Sequence, residues 1–151
     1  MDTCAIRILL VDDDPDDRML VKEALEEGAS SAELHTVEDG EQLLEYLRRL
    51  GSYGCLAHAP LPGLILLDLN MPKKDGREAL RELKTDPVLR RIPVVVLTTS
   101  HAPEDISLTY DLGVNSFIIK PVTFQSLVEM LQTLAKYWFS IVQPPRLRND
   151  S

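Results

Sequence analysis

The stretch IRILLVDDDPDDR, residues 6–18, decides the fold. A nearly continuous apolar run, rich in β-formers, ends directly in three carboxylates, Asp12, Asp13 and Asp14; Pro15 and two more acids, Asp16 and Asp17, follow. Such a run is that of a strand covered on both faces, as in a parallel sheet. Asp14 before Pro15 reads as an N-cap and first helical residue, after which Val21, Ala24, Leu25 and Gly28 share one helix face. The stretch is therefore strand, acidic turn and helix. Carboxylates this close repel one another, and removing any of them from water without a partner adds to the cost. Something must offset that cost.

Working outward, the same alternation recurs. Further strands are expected at ELHTV (33–37), GLILLD (63–68), IPVVVLT (92–98) and NSFIIK (115–120), which makes five; the second is the most polar and suits an edge. Helix-period stretches lie between them. Leu43, Leu47 and Leu50 mark a second helix that should stop near Gly51, and Ala79, Leu80 and Leu83 a third that ends before Pro87. A fourth follows Pro103, with Ile106 and Tyr110 on one face and Gly113 as terminator; a fifth follows Thr123 as N-cap. Strict alternation predicts an α/β fold, a doubly wound five-stranded parallel sheet with helices on both faces. Ligands of such sheets bind beyond the carboxyl ends of the strands. Those ends carry Asp12 to Asp14, Asp68, Thr98 to Ser100 and Lys120.

The 151 residues, 44% of them hydrophobic, suit one domain, expected over residues 1–142 with a polar tail at 143–151. A formal charge of -8 argues against nucleic acid or an anionic membrane as partner. No apolar run approaches the roughly 20 residues that span a bilayer, and the opening MDTCAIRILL lacks a signal peptide's basic start, so a cytoplasmic location is expected. Two cysteines, Cys4 and Cys55, suggest no disulfide framework.

Asp12, Asp13 and Asp68, from two strand ends at one rim, suit a hard divalent cation such as Mg²⁺. A cation converts their repulsion into binding energy. Asp68 ends the central apolar strand, and a carboxylate so placed beside Mg²⁺ can attack a phosphoryl group to form an aspartyl phosphate. The Lys120 ammonium and the Thr98 hydroxyl are then positioned to neutralise phosphoryl oxygens that the metal does not reach.

The acids of VDDD, the aspartate of LLDLNMPKKDG, the hydroxyl residue of VVLTTS and the lysine of FIIKP, in this order and spacing, resemble a receiver domain of two-component response regulators. The resemblance spans roughly residues 5–140. It implies a flavodoxin-like sheet of order 2-1-3-4-5, with Asp68 as phosphoacceptor and Asp13 as a direct ligand of Mg²⁺ or Mn²⁺. Asp12 would bind the metal through water and Asn70 by its backbone carbonyl. Thr98 and Lys120 would contact the phosphoryl group, and the Lys120–Pro121 bond would be cis. Phe117 stands where many receivers carry a switching tyrosine, so switching by ring burial is retained and switching through its hydroxyl is not. LHTVEDGEQLLEYLRR, LRRIPVVVLTTS and YWFSIV resemble the small single-domain regulators of phytochrome-type histidine kinases. The implied function is that of a single-domain response regulator receiving phosphate from such a kinase and signalling by a change in its fourth-helix, fifth-strand and fifth-helix surface.

A Mg²⁺ phosphohydrolase with an aspartyl nucleophile usually needs an acid two residues further on, where this chain has Asn70. A flavin-phosphate site wants a loop of backbone donors, which DDDPDD would oppose. Asp14, Asp16 and Asp17 are explained by capping and the helix dipole, and Asp75 with Gly76 by loop and cap chemistry. Lys73 and Lys74 read as a solvated pair, Cys55 and His58 as ordinary loop residues, and His101 as an exposed loop residue. The last helix is unusual in carrying two apolar series, Leu127, Leu131, Leu134 and Trp138 beside Met130, Leu134, Tyr137 and Ile141. Either the double stripe packs on the sheet with the tail folded over it, or, as favoured here, Leu108, Leu112, Met130, Tyr137 and Ile141 form a homodimer face on the fourth helix, fifth strand and fifth helix.

Overall fold

β-Branched and leucine side chains pack well on a pleated surface buried from both sides, and the three most apolar runs become the centre of the sheet. A computed structural model describes residues 7–27, 33–56, 61–69, 75–99 and 102–138. Among these, strands β1 (Arg7–Val11), β3 (Leu64–Leu67) and β4 (Val94–Thr98) are buried almost throughout, whereas β2 (Glu33–Val37) and β5 (Ser116–Ile119) are largely half-buried or exposed. All pairings are parallel and the order is β2-β1-β3-β4-β5, so the polar β2 lies at an edge as expected, with β5 at the other edge.

Helices α1 (Pro15–Glu27), α2 (Gly40–Arg48), α3 (Gly76–Thr85), α4 (Pro103–Leu112) and α5 (Phe124–Lys136) alternate with the strands. Alternate residues of each strand face opposite sides of the sheet, and the core accordingly divides in two. Ile8, Leu10, Leu64, Leu66 and Val95 pack with Val21, Ala24 and Leu25 of α1 and Leu127, Val128 and Leu131 of α5. On the other face Leu9, Val11, Ile65, Leu67, Val94 and Val96 meet α2 and α3, with Leu112 and Phe117 at the margin. Fully burying one such side chain contributes about 1.5–3 kcal/mol.

Local chemistry fixes the helix ends. Asp39, Asp75 and Thr123 are N-caps whose side chains accept backbone N–H bonds from α2, α3 and α5. The α4 N-cap, Ala102, has no side chain that can do so. Gly113, at φ 103°, ends α4 in the left-handed conformation expected of it.

Three local expectations are revised. The second helix stops at Arg48, before the Gly51 expected, because Arg49 adopts the left-handed conformation (φ 57°) and its N–H closes on Glu45 and Tyr46 carbonyls. Its guanidinium also lies 5.2 Å from the centre of the Tyr46 ring. The following loop is partly structured: Gly51–Leu56 form a 3₁₀ turn, and Tyr53 packs edge-on against buried Tyr46 with ring centres 5.3 Å apart. Finally, the Lys120–Pro121 bond is trans, and no cis peptide occurs among the described residues. Trans is the lower-energy form of an X–Pro bond by about 0.5–1 kcal/mol, and Lys120 reaches the acids of the rim with that geometry.

Candidate functional site

The sheet's hydrogen-bond ladder continues one residue past the strands and delivers the site. The Asp12 N–H donates to Val37 O at 3.1 Å, Asp68 N–H to Val11 O at 3.0 Å, and Lys120 N–H to Thr98 O at 2.8 Å. Their side chains therefore leave the carboxyl-end rim from a fixed backbone. Asp12 is 1% exposed, Asp68 9% and Thr98 0%, while Asp13 is open to solvent.

One carboxylate oxygen from each of Asp12, Asp13 and Asp68 lies within 4.8 Å of the others. The Thr98 hydroxyl donates to Asp68 Oδ1 at 2.9 Å. Lys120 Nζ donates to Asp12 Oδ2 at 2.9 Å and to Asp17 Oδ2 at 3.0 Å, and stands 3.9 Å from Asp68 Oδ2. Asp12 is further held by the Asp14 N–H, 3.0 Å from Oδ1, and its carbonyl accepts from Arg18 Nη1 at 2.7 Å.

Among the described residues the carboxylates of the site outnumber its ammonium groups. Burial raises the Asp12 carboxyl above its ordinary value, against the Asp14 N–H bond and the Lys120 ammonium, which lower it. For Lys120, burial acts downward, but its hydrogen bonds to Asp12 and Asp17 and the charges of Asp12 and Asp68 outweigh it and the ammonium is held above its ordinary value. Among the described residues the carboxylates of Asp12, Asp13, Asp17 and Asp68 gather around the Lys120 ammonium, a formal sum of -3 for these five side chains. Hard oxygen donors with a negative sum are what a small divalent cation requires, so the residues fit Mg²⁺ or Mn²⁺.

The expected residues Asp12, Asp13, Asp68, Thr98 and Lys120 converge. Phe117 lies half-buried against the α2–α3 face of the core, and its N–H donates to the Tyr110 hydroxyl at 3.2 Å. Asn70, Lys73, Lys74, Ser100, His58, His101 and Cys4 lie outside the described residues. Cys55 is exposed.

Two features escaped sequence reasoning. Asp17 does stand in the first turn of α1, as a dipole residue would, but it also takes Lys120; only the approach of α1 to the end of β5 reveals this. Gly76 is more than cap chemistry. Its N–H bonds to Leu69 O at 3.1 Å, and a Cβ there would stand 2.5 Å from Asp68 O, so α3 begins directly against the backbone of the candidate acceptor. Asp75 caps that start, accepting from the N–H groups of Arg77 and Glu78 at 3.0 and 3.1 Å. The glycine after DxxxxxxD in the sequence is the signal that was available.

A doubly wound sheet with this acid, hydroxyl and lysine rim defines a class, and the chain belongs to the response regulator receiver domain family, whose profile matches residues 8–132. Within it, the chain is 44% identical over 138 residues to the response regulator Rcp1 of a Synechocystis species, an alignment covering 91% of this chain and 92% of that protein. Among solved structures it is similar to the phosphorylated cyanobacterial phytochrome response regulator RcpA, at 45% identity and TM-score 0.87, over 95% of this chain and 100% of that one. It is also similar to the Mn²⁺-bound form of Rcp1, at 43% identity and TM-score 0.84, over 93% and 99% of the two chains.

Proposed function

We propose that this receiver accepts a phosphoryl group on Asp68 from a histidine kinase of the phytochrome type, in the cytoplasm and with a divalent cation, and is itself the only substrate of the chemistry it assists. The observation that carries the reading is the convergence on Asp68 of the Thr98 hydroxyl and the Lys120 ammonium, beside Asp12 and Asp13. The similarity to RcpA, a phytochrome response regulator, supports the choice of donor.

Asp12, Asp13 and Asp68, with the Asn70 carbonyl, would hold the cation. When bound it supplies charge neutralisation for the carboxylates and for a phosphoryl oxygen. An Asp68 oxygen forms the new bond to phosphorus as the bond from phosphorus to the donor histidine nitrogen breaks, its electron pair staying on that nitrogen. Lys120 then exchanges a carboxylate of the rim for a phosphoryl oxygen, and the Thr98 hydroxyl, no longer accepted by a bare Asp68 carboxylate, donates to another. Phe117 and Tyr110 lie on the elements that lead away from Thr98 and Lys120, and carry the change to the α4, β5 and α5 surface.

That surface bears an apolar groove of about 520 Å³ lined by Ile118, Met130, Leu134 and Tyr137 among others, and we assign it to a second copy of the chain. The test of the central reading offers acetyl phosphate or a phosphorylated kinase with Mg²⁺ to the native chain and to Asp68→Asn. Label is expected on the native chain alone, lost in chelator. Equal label on both would overturn the acceptor assignment.

A further inference from the structure

Between α3 and α4 lies an ion pair that the phosphoacceptor reading does not use. Arg77 Nε and Nη2 donate to Asp105 Oδ1 and Oδ2, both at 2.7 Å, a two-pronged contact between side chains only 25% and 14% exposed. Planar guanidinium–carboxylate pairs of this kind are the strong and directional ones. Arg77 Nη1 also stands 3.5 Å from Asp75 Oδ2.

The placement of the pair gives it a role. On one side, Arg77 follows Gly76, whose backbone is fixed to Leu69 O and pressed against Asp68 O, and its N–H is capped by Asp75. This end is tied to the acceptor's own backbone. On the other side, Asp105 sits in the first turn of α4, seven residues beyond Thr98, at a helix start whose N-cap Ala102 offers no side-chain bond. Thr98 is the group that changes partner when Asp68 is modified, and the chain leads from it into α4. The pair thus spans the element that stays with Asp68 and the element that follows Thr98.

We infer that Arg77 and Asp105 are positioning residues that latch the start of α4 in its resting place, so that the phosphorylated arrangement forms against this pair. The inference rests on the reading of Asp68 and Thr98 given above. A ligand shifts a two-state element only by its differential affinity, so removing a contact made in the resting arrangement raises the affinity for whatever favours the other.

The test measures beryllofluoride affinity in Mg²⁺ by calorimetry for the native chain, Arg77→Gln, Asp105→Asn and the double variant, with thermal melts to show that each is folded. Each single variant is expected to bind about three- to tenfold more tightly, and the double variant no more tightly than the better single, because both remove one contact. Should Arg77→Gln fail to fold, Arg77→Lys, which keeps the charge and loses the fork, takes its place with a smaller gain in the same direction. Unchanged or weaker binding by the folded single variants, or additive effects in the double, would overturn the latch while native binding upholds the acceptor reading. Absence of binding by the native chain would overturn both.

Discussion

Asp12 carries its charge in an almost closed position, and the direction of its carboxyl shift sets a pH dependence. Its folded value lies above the ordinary 3.8, so its contribution to stability is full below that value and is lost as pH rises through the raised one. In chelator, Asp12→Asn should therefore gain on the native chain as pH rises above about 4, read from urea unfolding at several pH values. A flat difference would remove burial as the cause. Gly76 makes the opposite case, in which side-chain atoms are forbidden. Gly76→Ala places a carbon against the Asp68 carbonyl and should cost more than about 2 kcal/mol in the same assay, the size of an overpacking penalty. Residues at this scale were legible where they end or directly follow a strand: Asp12, Asp13, Asp68, Thr98 and Lys120 could be placed on one rim by counting. Asp17 could not, because its partner is 103 residues away and meets it only through the packing of α1 and α5.

Helix ends differ in how firmly they are tied. Thr123 and Asp75 cap α5 and α3 by side chain, and Asp75→Ala should cost about 1 kcal/mol or somewhat more, since two N–H groups and a contact to Arg77 go with it. Ala102 leaves α4 without such a bond although its backbone has the extended conformation of an N-cap, φ -63° and ψ 131°. Ala102→Ser should stabilise the chain by about 0.5–1 kcal/mol in urea unfolding, and a loss of stability would show that this end is already satisfied. The helices themselves were readable from apolar spacing and prolines, and their buried faces match it at Val21, Ala24 and Leu25, at Ala79, Leu80 and Leu83, and at Leu127 and Leu131. The end of α2 was not readable, since a left-handed arginine held by its own carbonyl contacts carries no glycine to announce it.

As a whole the molecule presents two unlike faces. One is completed by α2 and α3; the other by α1 and α5, where Met130 and Leu134 are only partly covered and Tyr137 is 51% exposed. The fifth helix is expected to be the seam of a dimer. Light scattering should find the native chain dimeric and Tyr137→Glu monomeric with an unchanged melting profile; a monomeric native chain would contradict the assignment. Strand order followed from the resemblance, and burial alone accounts for the polar β2 at an edge. Ile141, part of the expected seam, and the tail at 143–151 lie outside the described residues.

Main-chain bonds, and no side chain of the rim, deliver Asp12, Asp68 and Lys120 to their places. The backbone ladder therefore stays in place when the Asp68 carboxylate is replaced. A lineage that no longer needs the chemistry can drop it by one substitution and still inherit an intact protein, free to be recruited as a passive adaptor, whereas Gly76 offers no such freedom.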